Sequence, residues 1–177
     1  MDASFVGKVI VICQLTGLII SLALFAYSWS RRRTFLGLAA AGMMLSLIVW
    51  LSSNLIPWFS NDPDIHFFWL RIGYLGVFTL PVGWFVYALT LSGHERWIKR
   101  RVVILLFIVP VFLIYLVFSG AFFKEVNYSV QNGSPNIGVT FSDWVILAAG
   151  YFYLLIGAGA LLMILSAVRA TALMRFR

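Results

Sequence analysis

Acidic residues and cysteines are scarce in this chain of 177 residues, which has six Asp and Glu residues and one cysteine. A single cysteine, Cys13, has no intrachain partner and gives no information on redox compartment. The long apolar stretches of the sequence contain no acidic residue at all. This absence argues against a proton-coupled pump, because proton relays inside membranes use buried carboxylates or histidines.

What the sequence has instead is five long uncharged runs, each with at least the roughly 20 residues that a bilayer-spanning helix needs. With 62% hydrophobic residues and a mean hydropathy of +0.98, a soluble domain of this size could not bury its apolar surface. We therefore expect an all-α membrane protein that forms a single transmembrane domain over residues 1–177. Its five transmembrane helices are predicted near residues 6–30, 34–59, 67–92, 102–122 and 143–168.

The charges between the runs predict an orientation. Ten of the 13 basic residues fall in the first connection, the third connection and the C-terminal tail, whereas the other connections are mainly acidic. The excess of Lys and Arg in short loops favours the cytoplasm, which places the N-terminus outside and the C-terminus inside. The net charge of +7 then needs no nucleic acid partner, and anionic lipid headgroups are the expected neighbours of the basic residues.

The histidines do not suggest an enzyme. His66 and His94 fall in connections on opposite sides of the predicted membrane, so they cannot share a metal ion or a haem. Glu95 lies next to His94 in a solvated basic loop. We expect no catalytic residues, no metal site and no cofactor.

Arg71 is the one ionisable side chain within a span, and it lies about 5 Å below the predicted outer boundary. One interpretation is an interface anchor whose guanidinium reaches outward, paired with Asp62 or Asp64. The other is a polar pocket that opens outward and takes an anionic or hydrogen-bonding ligand. Its candidate ligand-binding residues are those at similar depth on neighbouring helices: Arg71, Asn54 with the adjacent Ser52 and Ser53, Gln14, Tyr74 and Tyr151.

The only sizeable outer connection follows the fourth helix. Two short β-prone runs, at residues 126–130 and 137–141, flank Asn132 and Gly133. This pattern predicts a short extracellular β-hairpin that lies over the outer face.

Several segments resemble the N-terminal seven-helix sensor region of membrane histidine kinases. The resemblance covers most of the chain and rests on FWLRIGYLG (68–76), LP (80–81), WF (84–85), YALTLSGHERW (87–97), Pro110, Trp50, Trp144 and YFYLL (151–155). The chain differs by ending after five helices and by having Asn54, Ile56 and Pro57 where members often carry an acidic residue near the end of the second helix.

The resemblance implies a membrane-embedded sensory input region, here incomplete, of a receptor in a two-component system. It would perceive an extracellular or membrane signal and relay it to a cytoplasmic kinase, cyclase or other output domain in the same chain or in a partner. The implied location is a multi-pass position in a prokaryotic plasma membrane, and a homodimer is left open. The competing interpretation is a transport-complex or structural membrane subunit assembled through small-residue helix seams.

Overall fold

The computed structural model describes the backbone of residues 3–131 and 134–174 and the side chains of residues 7–129 and 137–169. Within these residues, five helices are long and apolar enough to cross a membrane, which confirms the predicted number. They are α1 (Ala3–Ser30), α2 (Phe35–Leu55), α3 (Pro63–Leu91), α4 (Arg100–Phe118) and α5 (Trp144–Met174).

Two helix boundaries differ from the prediction for local reasons. α3 begins at Pro63, before residue 67, because the Asp62 carboxylate accepts a hydrogen bond of 3.0 Å from the Asp64 amide and caps the helix. α4 ends at Phe118, before residue 122, because the chain reverses at Gly120, which has a φ of +82°. The Asp62 cap and the reversal at Gly120 leave the pattern of apolar residues unchanged. The spans were predicted from that pattern, so it could not locate these two boundaries.

The ends of α2 and α5 also differ from the predicted limits. The last predicted turn of α2 forms a separate 3-10 turn, Ile56–Phe59, which contains Pro57. Proline lacks the amide hydrogen that would continue an α-helix. α5 continues past residue 168 to Met174, since residues 169–174 contain no glycine or proline.

α3 is the central helix of the bundle and packs against α2, α4 and α5, while α1 packs against α2. Successive helices run in opposite directions, so the connections lie alternately at two ends. The arginine end contains residues 31–34 and 92–99, and the hairpin end contains residues 56–62 and the strands that follow α4.

The hairpin predicted after the fourth helix is confirmed. Strands β1 (Phe123–Gln131) and β2 (Ser134–Phe141) pair antiparallel, with Tyr128 opposite Ile137. The predicted turn residues, 132 and 133, lie outside the described residues. The Tyr128 hydroxyl donates a hydrogen bond of 3.1 Å to the Asn61 carbonyl, which holds the hairpin over the connection between α2 and α3.

α2 and α3 approach each other closely where α3 carries glycines. A side chain at Gly76 would place its Cβ 2.8 Å from the backbone nitrogen of Trp50, and one at Gly83 would place it 3.2 Å from the Cα of Met43. Next to Gly76, the hydroxyls of Ser46 and Thr79 are 2.8 Å apart and hydrogen-bond across the interface. Small residues allow such contact in membranes, where lipid is as apolar as the helices and no hydrophobic force drives association.

We expect Gly76→Ala to destabilise the bundle, because the added methyl group meets backbone atoms of α2 that cannot move independently. Overpacking of this kind typically costs about 1–3 kcal/mol. The matched control is Gly42→Ala in α2, since a Cβ there meets nothing within 4 Å. It should leave stability unchanged or raise it by up to ~1 kcal/mol through helix propensity. Unfolding in mixed micelles titrated with dodecyl sulfate measures both, and equal stabilities would contradict the packing account.

Candidate ligand cavity at the hairpin end

A cavity of about 430 Å³ lies at the hairpin end, between α2, α3 and the hairpin. Its volume falls in the range of small-molecule sites, ~300–1,000 Å³. We call it the hairpin-end cavity. Its walls are mostly aromatic or apolar, with a few polar groups, and consist of Trp50, Ser53, Asn54, Pro57, Trp58, His66, Trp69, Leu70, Gly73, Tyr74, Val77, Ile137 and Val139.

Each helix presents one face to the cavity. The lining residues of α2 and its 3-10 turn include positions 50, 53, 54 and 57, and those of α3 are positions 66, 69, 70, 73, 74 and 77. These spacings of three and four residues are those of a single stripe along a helix. The cavity is therefore a groove between two facing stripes, and the side chains of Ile137 and Val139 cover it from the hairpin.

The polar groups of the α2 stripe converge on one carbonyl. The Ser53 hydroxyl and the Asn54 amide nitrogen each donate a hydrogen bond of 2.7 Å to the carbonyl oxygen of Trp50. Gly73 makes room for Ser53, because a Cβ at that position would lie 2.5 Å from the serine Oγ. The Asn54 Oδ1 has no hydrogen-bond partner among the described residues, so an acceptor remains free at the cavity wall.

His66 lies at the start of α3 and is 3% exposed. Its Nε2 is 2.7 Å from the Ser60 carbonyl oxygen, which makes Nε2 the protonated nitrogen in the neutral ring. The imidazole also packs against Tyr128 of β1, with 5.2 Å between ring centroids. His66 thus joins the cavity wall to the hairpin that covers it.

Tyr74 connects the cavity to the core of the bundle. Its ring lies 5.3 Å from Phe78, 5.5 Å from Phe122 and 5.6 Å from Phe123, measured between centroids. Its hydroxyl has no hydrogen-bond partner among the described residues. One edge of the ring is therefore packed in an aromatic cluster, and a free hydroxyl remains for a ligand.

Of the five predicted ligand-binding residues, only Asn54 and Tyr74 line this cavity, together with Ser53, one of the two serines predicted beside Asn54. Arg71 is exposed and is not among the lining residues, since it lies about 100° around the helix from Leu70, beyond the edge of the stripe. Neither Asp62 nor Asp64 forms an ion pair with it; within residues 7–129 and 137–169, the only ion pair joins Lys124 to Asp143 at 3.4 Å. Of the described lining residues, none is Asp, Glu, Lys or Arg.

The other two predicted residues lie elsewhere in the bundle. Gln14 is on α1, and its Oε1 is buried without a hydrogen-bond partner among the described residues. Tyr151 is on α5 and donates a short hydrogen bond to the carbonyl oxygen of Leu106 in α4. Similar depth in the sequence therefore did not bring these side chains to one place.

The sequence reasoning missed most of the cavity wall. Trp58 and Trp69 were not among the predicted site residues, and His66 was predicted to lie in a connection between helices. The available signal was the recurrence of polar and aromatic residues every three or four positions through the end of α2 and the start of α3. The contribution of Ile137 and Val139 had no such signal, because it depends on how the hairpin folds back over the helices.

The bundle and its cavity define a class, the multi-pass helical membrane proteins. Within that class, the family described as the N-terminal seven-transmembrane region of histidine kinase matches residues 14–177. The chain belongs to this family, which confirms the resemblance inferred from the sequence. No curated protein and no solved structure matches the chain. The family suggests that the chain is the membrane sensory input of a signalling receptor.

Proposed function

We propose that this region senses a small, uncharged molecule with hydrogen-bonding groups, bound in the hairpin-end cavity. The observation that carries the proposal is the composition of the cavity wall. Flat apolar contacts come from Trp50, Trp58 and Trp69, and free polar atoms come from Asn54 and Tyr74. The described lining residues include no Asp, Glu, Lys or Arg, so none carries a permanent charge that would pair with a charged ligand, and an unpaired charge is costly to remove from water.

In this proposal the signal travels from the cavity to α5 through aromatic contacts. Tyr74 contacts Phe78, whose ring centroid lies 5.8 Å from that of Phe152 in α5. Further along the same interface, the Trp84 indole donates a hydrogen bond of 3.3 Å to the Ile156 carbonyl. A ligand that favours one position of Tyr74 would favour one packing of α3 on α5, as a two-state input requires.

The chain itself carries no catalytic residue in this proposal. Phosphotransfer belongs to a cytoplasmic output domain, in the same chain or in a partner, and the region lies in a prokaryotic plasma membrane. The family supports this separation of sensing from phosphotransfer, because its members are the N-terminal regions of histidine kinases. Displacement of α5, the last described helix, is the proposed output.

The proposed orientation places the hairpin end outside the cell and the arginine end in the cytoplasm. Arg31, Arg32 and Arg33 lie at one end with residues 96–101, and this distribution supports the orientation through the positive-inside tendency.

To test the orientation, Thr140→Cys in the hairpin and Glu95→Cys at the arginine end can each be placed in a Cys13→Ser background. We expect a membrane-impermeant maleimide to label the Thr140→Cys protein in intact cells, and the Glu95→Cys protein only after permeabilisation. Both positions are exposed, so accessibility to the reagent reports the side of the membrane. The reverse labelling pattern would overturn the orientation.

The cavity is tested in the receptor kinase that contains this region, in native membrane vesicles. Growth medium is depleted of cations on a cation exchanger and then separated by anion exchange into neutral and acidic fractions. Each fraction is added, and autophosphorylation is measured. We expect the neutral fraction to change autophosphorylation. Asn54→Leu and Tyr74→Phe should each raise the amount needed for a half-maximal response by about 2- to 12-fold, the equivalent of one lost hydrogen bond.

The matched control for these variants is Arg71→Leu, which changes a residue at similar depth but outside the cavity. It should leave the response unchanged. A response to the acidic fraction that Arg71→Leu abolishes would instead support an anionic ligand held by Arg71. Autophosphorylation that no fraction and no variant alters would contradict the sensory proposal and favour a purely structural role for this region of the kinase.

A second pair of variants tests the path to α5. A Cβ at Gly159 would lie 2.7 Å from Trp84 Nε1 and 3.3 Å from the Ala88 Cβ, whereas one at Gly157, on the same helix, meets nothing within 4 Å. We expect Gly159→Ala to shift basal autophosphorylation several-fold, because the methyl group displaces either the Trp84 indole or α5 itself, and both changes alter the packing of α3 on α5. Gly157→Ala should match the wild type. Equal activities in two folded variants would mean that the α3–α5 packing does not control the output.

A further inference from the structure

A second concavity, which we call the arginine-end groove, lies at the opposite end of the bundle between α1, α2 and α3. Its volume is about 740 Å³. Its floor is mainly apolar and includes Leu24, Leu36, Ala40 and Met44. From Thr34 to Met44 it follows ten residues of chain, or about 15 Å of helix, from the arginine end toward the middle of the bundle.

The mouth of the groove carries two arginines, Arg31 and Arg33, both exposed. The Arg31 guanidinium lies 4.9 Å from the ring centroid of Tyr27, and Tyr27 also lines the groove. Neither arginine forms an ion pair with a described residue. Two positive charges therefore remain available at the mouth of the arginine-end groove.

The turn that carries these arginines is held in a fixed shape. The Arg31 carbonyl accepts hydrogen bonds from the Thr34 amide, at 3.0 Å, and from the Thr34 hydroxyl, at 2.9 Å. The same hydroxyl accepts a hydrogen bond of 3.1 Å from the Gly37 amide. A Cβ at Gly37 would lie 2.7 Å from the Arg31 carbonyl carbon, so glycine is required for this approach. A site that is already ordered loses less entropy when it binds.

We propose that the arginine-end groove binds an anionic phospholipid, with its phosphate between Arg31 and Arg33 and an acyl chain along the apolar floor. The occupant follows from charge complementarity and from the arrangement of the groove. The cations that line the groove lie at its outer end, at the level expected for lipid headgroups, and the floor extends into the depth where lipid chains lie. A soluble phosphate would leave the floor empty, and an uncharged lipid would leave the arginines unpaired.

Native mass spectrometry of the full chain tests the proposal, with palmitoyl-oleoyl phosphatidylglycerol and the matching phosphatidylcholine added in detergent. We expect preferential retention of phosphatidylglycerol. The double variant Arg31→Gln/Arg33→Gln should bind it roughly 10- to 30-fold more weakly, the loss expected for two lipid-facing basic residues. The matched control, Arg100→Gln/Arg101→Gln, removes the same charge at the same end of the bundle but outside the groove. It should bind the lipid as the wild type does, because neither of these arginines lines the groove.

The role of the apolar floor is tested separately. Ala40→Phe fills the groove without changing charge and should weaken phosphatidylglycerol binding. Ala39→Phe alters the adjacent residue, which faces a different groove, and should not. Glycerol 3-phosphate, a soluble phosphate that carries at least the charge of the headgroup but no acyl chains, should not displace the lipid. Equal retention of the two lipids, or equal loss in both arginine double variants, would overturn the proposal.

Discussion

The close approach of α2 and α3 is the contact on which the rest of the structure depends. Gly76 and Gly83 remove side chains from one edge of α3, and the backbone of α2 occupies that space, while Gly73 makes room for the Ser53 side chain. In lipid, where apolar side chains gain little by leaving their surroundings, such fitted backbone contact and a few interhelical hydrogen bonds supply the association energy. The same approach brings the end of α2 against the start of α3, and the hairpin-end cavity lies between them.

α3 also connects the hairpin-end cavity to α5. One of its faces meets α2, and another meets α5 through Phe78 and Trp84. A small change at Tyr74 therefore acts on a side chain that is already packed in the aromatic cluster. Densely packed clusters respond to such a change by shifting between discrete arrangements, since they do not deform continuously. Tyr74 and Phe78 therefore join the cavity directly to the α3–α5 interface.

The helices and the hairpin were predictable from the sequence, and the composition of the cavity was predictable only in part. Long uncharged runs fix the number of spans, and β-prone runs around Asn-Gly predict the hairpin. Depth along the helix placed Arg71 with Asn54 and Tyr74, but depth does not say which way a side chain points. The angular position, read from the spacing along α3, separates Arg71 from the stripe that faces α2. The cover formed by Ile137 and Val139 depends on tertiary docking, which no local pattern encodes.

The position of Arg71 decides the chemistry of the proposed signal. A cavity that contained the guanidinium would favour an anion, because a charge-assisted hydrogen bond is roughly twice as strong as a neutral one. With Arg71 on another face, the remaining groups are an amide, hydroxyls, an imidazole and indole rings. These groups recognise shape and hydrogen-bonding pattern, and they discriminate against charged molecules that would lose water on entry. The proposed phospholipid site gives Arg31 and Arg33 a separate role at the arginine end, where the expected anions are those of the lipid surface itself.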